Sequence, residues 1–490
     1  MTISGTDAPS TRSDAAPRVA AVLGEPDASG RAWRPGRLSL ACFCLALTGI
    51  WLVWRGTTSD LDPLTFLTTV GWTIPVLVVA QGLIGLGMTV RRTGTASRAG
   101  GPTTVTDQLI VAIPTVARVD TLGGLTRVLR SCCEHLSTGF PQLRIDVVVD
   151  EGSAGVADVR RLAATDARIR VITVPHHYRT PRCTRFKARA NHYAHELRLR
   201  EGEARDDVWV LHLDDDTGVG ADTAEALARF ISARRGDGTD RVHLAQGVLT
   251  YPRELAANRF TWLADALRSA CDITIFAAST GSGSPRNGLH GELLCVRASV
   301  EAAIGWDFGP TAIVEDAEFA LHFCHRFPGG SDWLPGRSYG ASPATIGAFV
   351  RQRERWVRGM LQLTRRRVVP LRHRVLMLHN VYVWICAPVG HPLTVLVVAL
   401  LLRDADTLPA TAVLLPVWTL NMAFWLYLYW EGLRLNVLSS NRPGRRWWEP
   451  AAVVLLMPFF AVLECAGVVR GVFAAARGGD QSFTVIPKPR

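Results

Sequence analysis

Long hydrophobic segments at both ends of the 490-residue chain constrain its fold more than any other feature. Four of the five segments contain no Asp, Glu, Lys or Arg, and the fifth contains Glu464 and Arg470. Because a helix of about 17–25 apolar residues crosses a bilayer, each segment is long enough to be a transmembrane helix. We therefore predict a multi-pass membrane protein with two transmembrane helices within 37–92 and two or three within 375–473. The five segments are 38–54, 66–90, 375–402, 408–430 and 450–473.

The positions of the arginines predict the orientation of these segments. Arg91 and Arg92 follow the second segment, and Arg365, Arg366 and Arg367 precede the third, whereas the short loops inside each group carry few basic residues. Since basic loops stay on the cytoplasmic side, we expect the central region to face the cytoplasm at the cell membrane. The last segment has basic residues on both flanks, so whether it spans the membrane stays open.

Many of the basic residues that give the chain its net charge of +11 flank the hydrophobic segments. This distribution predicts a lipid bilayer as partner and no nucleic acid. Residues 1–36 are rich in Ala, Ser, Pro and Gly, and we expect them to form a disordered cytoplasmic tail. Residues 474–490 form a second predicted tail.

The polar region 93–350 alternates predicted strands with predicted helices. Apolar runs at 109–114, 143–150, 169–174 and 208–213 indicate buried strands, and 121–136 and 221–234 indicate helices. This alternation predicts the α/β class with a mainly parallel sheet. In such sheets ligands bind beyond the carboxyl ends of the strands, so the residues that follow each strand are the candidates for function.

Acidic residues follow two of these strands. Asp150 and Glu151 end the second, and Asp214 and Asp216 end the fourth. On an extended backbone the two side chains of Asp-x-Asp point to the same side, where their oxygens suit Mg²⁺ or Mn²⁺. The alternative is a solvated acidic turn that caps the next helix. The sequence has no phosphate-binding motif of the P-loop or dinucleotide type.

Two later patterns point to catalysis but also have structural explanations. Glu315 and Asp316 precede a helix-like stretch, so Asp316 is either a general base or a favourable charge at a helix N-terminus. The segment 351–374 is an amphipathic helix that contains Gln352, Arg355 and Trp356. Its arginine and tryptophan are expected either at the membrane interface or against a diphosphate and a sugar ring.

In this order the motifs resemble the membrane-embedded family 2 glycosyltransferases, which include cellulose, chitin and hyaluronan synthases. The stretches 290–294, 305–309, 314–316 and 483–488 look most like the egghead-type β-1,4-mannosyltransferases. The resemblance implies a GT-A catalytic domain that transfers a hexosyl unit, with inversion, from GDP-mannose or a UDP-hexose to a glycan or glycolipid acceptor.

The resemblance also implies a role for each candidate residue. Asp150, Glu151, Lys187 and Asp214 would bind the nucleotide sugar, and Asp214 and Asp216 would hold Mg²⁺ or Mn²⁺. Asp316 would be the general base, and a raised pKa caused by its neighbour Glu315 would suit that role. Gln352, Arg355 and Trp356 would complete the catalytic set, with Arg355 on the leaving diphosphate and Trp356 beneath the acceptor sugar.

Two alternatives remain open from the sequence. A polyprenyl-phosphate sugar transferase would have a related fold, and a membrane transporter or receptor could carry a cytoplasmic domain that only binds metal. The donor sugar, the acceptor, the number of sugars added and the oligomeric state stay open as well.

Overall fold

The computed structural model describes residues 63–96, 104–234, 241–366, 370–401, 408–441, 446 and 448–477. The predicted tail 1–36, the hydrophobic segment 38–54 and residues 478–490 lie outside the described ranges. Within those ranges the chain forms eight strands: β1 (Gln108–Thr115), β2 (Leu143–Asp150), β3 (Ile169–Val174), β4 (Val208–His212), β5 (Gly218–Val219), β6 (Leu244–Thr250), β7 (Leu294–Arg297) and β8 (Ser331–Tyr339).

The described residues also form fourteen α-helices. They are α1 (Pro63–Ala96), α2 (Leu122–His135), α3 (Val156–Ala163), α4 (Phe186–Arg200), α5 (Ala221–Ser232), α6 (Arg259–Ala264), α7 (Ala266–Asp272), α8 (Ile275–Gly281), α9 (Ala298–Ile304), α10 (Glu315–Arg326), α11 (Ile346–Arg365), α12 (Leu371–Leu401), α13 (Leu408–Leu438) and α14 (Trp448–Arg477).

One sheet of mixed but mainly parallel strands organises the centre of the chain, in the order β3-β2-β1-β4-β7-β6-β8-β5. β1 pairs in parallel with both β2 and β4, so the strand order reverses direction at β1. β7 pairs antiparallel with β4 and β6, and β5 pairs antiparallel with β8. The predicted α/β class with a mainly parallel sheet is confirmed, and the reversal at β1 creates the crevice in which such sheets bind ligands.

The sheet is buried on both faces, which explains the continuous apolar runs of its central strands. Val111 and Ile113 of β1 pack with Leu125 of α2 and Leu227 of α5. The alternate residues Ile110 and Ala112 pack instead with Phe319 and Phe323 of α10. Because α10 is fixed against this second face, its first residues, Glu315 and Asp316, are held at a defined position beside the sheet.

The hydrophobic segments at the chain ends pack on the α/β domain as helices. Four of the five predicted segments correspond to α1, α12, α13 and α14. By length and composition, two stretches of the described residues could cross a membrane: Val70–Thr93, with mean hydropathy 1.8, and Trp448–Arg477, with mean hydropathy 2.3. The complete number of membrane crossings stays a prediction.

Helix α14 lies in very close contact with α11, the helix that contains Gln352, Arg355 and Trp356. A Cβ atom on Gly467 would lie 2.6 Å from the Cβ of Arg353, and one on Gly471 would lie 2.8 Å from the Glu354 carbonyl oxygen. Two glycines four residues apart therefore let the two backbones approach, as small-residue motifs do in membrane helix pairs. The helix expected at 351–374 ends at Arg365, and α12 begins at Leu371.

The first prediction tests this contact. Gly471→Ala should lower the free energy of unfolding by about 1–3 kcal/mol, because the added methyl group would collide with the α11 backbone. Gly87→Ala is the matched control, since a Cβ on Gly87 of α1 would meet nothing within 4 Å. Thermal melting of the two purified variants should show a lower melting temperature for Gly471→Ala alone. Equal melting temperatures would contradict the close packing of α11 on α14.

Candidate active site

A cavity of about 570 Å³ lies between the carboxyl ends of the sheet strands and the terminal helices. Nine of the ten residues that the sequence analysis selected line this cavity: Asp150, Lys187, Asp214, Asp216, Asp316, Gln352, Arg355 and Trp356, together with Glu315 beside the predicted base. Val78, Val383 and Trp384 from α1 and α12 also line it. The cavity therefore joins the acidic edge of the sheet to the hydrophobic helices.

The acidic edge is formed by the residues that follow β2 and β4. Strand β4 ends at His212, so Asp214 and Asp216 lie in the following turn rather than on an extended strand. The expected extended backbone at Asp214 and Asp216 is therefore wrong, although both carboxylates line the cavity. Thr115, at the end of β1, donates a hydrogen bond to Asp215 at 2.7 Å and holds this turn against the neighbouring strand.

Lys187 links the acidic edge to the predicted catalytic base. Its Nζ atom lies 2.6 Å from Asp214 Oδ1 and 3.7 Å from Glu315 Oε1. Burial alone would lower the pKa of Lys187, but the charges of Asp214, Asp316 and Glu315 outweigh burial and hold it well above its usual value. Lys187 is therefore a stable ammonium group that offsets the repulsion among these acids.

The proton in the adjacent acid pair belongs to Glu315. Burial, followed by the negative charge of Asp316, raises the pKa of Glu315 to about 8. Protonated Glu315 can then donate a hydrogen bond to Asp316, which leaves the Asp316 carboxylate as the acceptor. The structure shows a raised pKa for Glu315, and the role of Asp316 as general base stays a prediction.

Gly291 permits the close approach of these groups. A Cβ atom at this position would lie 2.2 Å from Lys187 Nζ and 3.3 Å from Asp316 Oδ2. Any side chain would therefore displace the ammonium group or the carboxylate. This requirement accounts for the glycine between His290 and Glu292, which themselves line the cavity.

Trp356, which also lines the cavity, lies beside two charged side chains. The guanidinium carbon of Arg268 is 4.3 Å from the centre of the Trp356 ring, and that of Arg353 is 4.7 Å away. Arg353 also donates a hydrogen bond to Gln352 at 2.6 Å. Cations this close to an aromatic face are attracted to it, so the two arginines fix the orientation of the indole ring.

A group of buried and partly buried charges near Trp356 was not predicted from the sequence: Arg268, Asp272, His290, Glu292 and Arg353. His290 contacts Asp272 at 2.8 Å and Glu292 at 3.3 Å. Burial opposes protonation, but these carboxylates raise the pKa of His290 to about 10, so the imidazole stays charged. Within this group only the stretch His290-Gly291-Glu292 forms a local sequence pattern. Arg268, Asp272 and Arg353 lie on α7 and α11, so their proximity to this stretch is not visible in the sequence.

Glu151 has a different environment from the other candidates. It is exposed and accepts a hydrogen bond from the His176 backbone at 2.8 Å, and it is not among the residues that line the cavity. Its neighbour Asp150 lines the cavity and pairs with Arg189 at 2.5 Å. The nucleotide-binding role of Glu151 stays a prediction.

A divalent metal fits the acidic edge only if the donor supplies part of its coordination. The described residues contain no group of three or more His, Cys, Asp or Glu side chains able to hold a metal. Asp214 and Asp216 nevertheless line one cavity. Because Mg²⁺ is commonly bound by one or two carboxylates, water and substrate phosphates, these two acids suit a metal that binds together with a diphosphate.

Comparison with known proteins shows the family. The model of "Glycosyl transferase family group 2" matches residues 209–463, more than half of the chain. The chain belongs to this family. As a family 2 glycosyltransferase it is an enzyme that transfers sugar, which excludes the alternative of a transporter or receptor.

Two β-1,4-mannosyltransferases are similar to this family 2 glycosyltransferase. It is 29% identical to egh of Drosophila melanogaster over 270 residues, 54% of this chain and 55% of that one. It is 28% identical to bre-3 of Caenorhabditis briggsae over 330 residues, 66% of this chain and 67% of that one. The match thus spans about half of the length of the Drosophila relative.

A solved structure is also similar, at 16% identity and a TM-score of 0.44. It is the mannosyltransferase PcManGT from Pyrobaculum calidifontis in complex with GDP-Man and Mn²⁺, and the match covers 83% of this chain and 100% of that chain.

The second prediction concerns the pH dependence of stability. The pKa of Glu315 is about 8 in the folded protein against an ordinary 4.5, so the unfolded chain releases this proton at lower pH. The contribution of Glu315 to stability is therefore complete below pH 4.5, falls as the pH rises and is lost above about pH 8. Glu315→Gln keeps a donor for Asp316 and removes this loss, which is at most about 1.4 kcal/mol per pH unit.

We compare the melting temperature of Glu315→Gln with that of the unaltered protein. The difference, variant minus unaltered protein, should increase as the pH rises from 5 to 8. Melting curves without donor or metal measure this difference directly. Glu225→Gln is the control, because Glu225 forms an exposed ion pair with Arg229. A difference for Glu315→Gln that stays constant across the range would contradict the buried proton.

Proposed function

We propose that this enzyme transfers a mannosyl unit from GDP-mannose, with inversion, to a hydroxyl group of a glycan or glycolipid acceptor. The observation that carries the proposal is the convergence of Asp216, Asp316 and Trp356 on one cavity. The names of the egh and bre-3 relatives favour mannose and a β-1,4 linkage. Since GDP-mannose is an α-linked donor, a β-linked product requires inversion.

The acidic edge of the cavity binds the donor in this proposal. Asp150, which lines the cavity, and Glu151, which lies beside it in the chain, would bind the nucleotide, and Asp214 and Asp216 would hold Mg²⁺ or Mn²⁺. A bound divalent cation would supply positive charge to the leaving diphosphate. Lys187, the ammonium group beside Asp214, and Arg355, from α11, face the same negative charge, and their cationic side chains would stabilise it as it develops.

The transfer itself needs one base and no covalent nucleophile. Asp316 accepts the proton of the acceptor hydroxyl while that oxygen attacks the anomeric carbon. A bond forms between these two atoms, and the bond from the anomeric carbon to the diphosphate oxygen breaks, so GDP leaves. Asp316 lines the cavity, and the raised pKa of its neighbour Glu315 makes Glu315 a hydrogen-bond donor to it, which supports this assignment.

The acceptor sugar lies against Trp356, beside Gln352. An indole ring offers a flat apolar surface for the carbon–hydrogen face of a sugar, and amide groups exchange hydrogen bonds with its hydroxyls. The apolar side chains Val78, Val383 and Trp384 continue the cavity toward the candidate membrane helices, which favours an acceptor with an apolar portion. The arginines that flank the hydrophobic segments favour the cytoplasmic face of the cell membrane as the location of the enzyme.

A panel of nucleotide sugars tests the donor and the competing function. Purified full-length protein in lipid nanodiscs is incubated with Mg²⁺ or Mn²⁺, with GDP-mannose, UDP-glucose or UDP-N-acetylhexosamines, and with octyl glycosides as acceptors. We expect transfer from GDP-mannose to an octyl glycoside. Transfer to a polyprenyl phosphate in place of the glycosides would identify the enzyme as a polyprenyl-phosphate sugar transferase and contradict the proposal.

The third prediction tests Asp316 as the general base. Asp316→Asn should lower kcat by about 10²–10⁴-fold, because the amide cannot accept the proton, while the Kd for GDP-mannose stays nearly unchanged. Initial rates and calorimetric titration measure the two quantities. Asp158→Asn, which removes an exposed carboxylate paired with Arg161, is the control and should retain normal rates. Turnover near the normal rate in Asp316→Asn would remove Asp316 from its role.

A further inference from the structure

Glu464 is a buried acid in the hydrophobic helix α14, where an ionisable side chain is costly unless it has partners. Both of its carboxylate oxygens accept hydrogen bonds. Arg353 Nε of α11 donates to Oε1 at 2.8 Å, and Trp384 Nε1 of α12 donates to Oε2 at 3.0 Å. One carboxylate on the candidate membrane helix thus connects two further helices.

Arg353 carries this connection to the Gln352–Trp356 segment. Its guanidinium group also donates to Asp265 at 2.5 Å and to Gln352 Oε1 at 2.6 Å. The same group lies 4.7 Å from the centre of the Trp356 ring. With carboxylates on two sides and an amide on a third, the planar guanidinium has a single orientation, and that orientation determines where Trp356 can lie.

Trp384, the second partner of Glu464, also contacts Trp356. The centres of the two indole rings are 6.1 Å apart, within the range of attractive aromatic pairs. Glu464 therefore acts on Trp356 from two directions, through Arg353 and through Trp384. Gly467, one helical turn further along α14, lets its backbone lie directly against Arg353, so the carboxylate has little freedom to withdraw.

We propose that Glu464 is a positioning residue for the acceptor site, and that through Arg353 and Trp384 it fixes the indole ring on which the acceptor sugar is bound. This inference rests on the proposed function, in which Trp356 contacts the acceptor. The donor acids follow strands β2 and β4, whereas Arg353 and Trp384, the partners of Glu464, belong to α11 and α12. Loss of the Glu464 charge should consequently weaken acceptor binding and leave donor binding unchanged.

The test separates the two substrates. With Glu464→Gln in lipid nanodiscs, the KM for an octyl glycoside acceptor should rise about tenfold, as expected for the loss of one charge-assisted hydrogen bond. The KM for GDP-mannose and the rate of its hydrolysis by water should stay within about twofold of normal. A merely structural role would instead lower hydrolysis and transfer together, because the fraction of active protein would fall.

Glu449→Gln is the matched control. Glu449 lies on the same helix, is also buried and pairs with Arg253 at 2.8 Å. Glu464 and Arg353 line the cavity, whereas Glu449 and Arg253 do not. The control variant reproduces the loss of a buried ion pair between α14 and the α/β domain, so we expect an unchanged acceptor KM. In Glu464→Gln combined with Trp384→Phe, the acceptor KM should rise by less than the product of the two single effects, since one hydrogen bond is shared.

Two results would overturn the inference: an acceptor KM in Glu464→Gln that equals the normal value, or a parallel fall of donor hydrolysis and transfer. Failure of the proposed function is a different result. In that case the unaltered protein transfers sugar from none of the donors to any octyl glycoside, and the comparison of variants is not needed to detect it.

Discussion

The ammonium group of Lys187 is the interaction on which the acidic edge of the cavity depends. Asp214, Glu315 and Asp316 come from two separate elements and converge in a partly buried space, where their mutual repulsion is less screened than in water. Lys187 offsets this repulsion through its contacts with Asp214 and Glu315, and the proton retained by Glu315 removes one further negative charge. The turn after β4 and the first turn of α10 can therefore lie side by side.

Compensation of like charges by opposite charges also occurs around Trp356, where cations are neutralised by carboxylates. There the cations Arg268 and Arg353 flank an aromatic ring, and the buried carboxylates Asp265, Glu292 and Glu464 neutralise them. The two charged groups differ in the side chains that they hold in place. The first holds the carboxylates that we propose for donor binding and proton transfer, and the second holds the indole ring of Trp356. One helix, α11, connects the second group to α14.

Much of the α/β domain could be predicted from local pattern. The strands at 143–150 and 169–174 have the predicted bounds, because a strand buried on both faces leaves an uninterrupted apolar run in the sequence. The strands β5, β6, β7 and β8 were not predicted. β5 and β7 are two and four residues long, and neighbours in the sheet decide their conformation more than their own composition does.

The sequence predicted those residues of the candidate site that directly follow a strand or belong to a short motif. Asp214, Asp216, Asp316 and Trp356 were found in this way, and the structure brings them to one cavity. Arg353 was overlooked although it lies between Gln352 and Arg355. In an arginine-rich helix nothing local distinguishes an arginine that pairs with Asp265 and Glu464 from one that faces solvent.

The sequence by itself determined the α/β class, the hydrophobic ends and the residue types available for chemistry, because periodicity and composition act over a few residues. Only the tertiary structure decided which charges meet. Glu464 is separated from Arg353 by 111 positions in the chain, and Glu315 owes its raised pKa to burial and to the charges around it. Coulomb interactions and burial depend on distance in space, which a linear pattern does not contain.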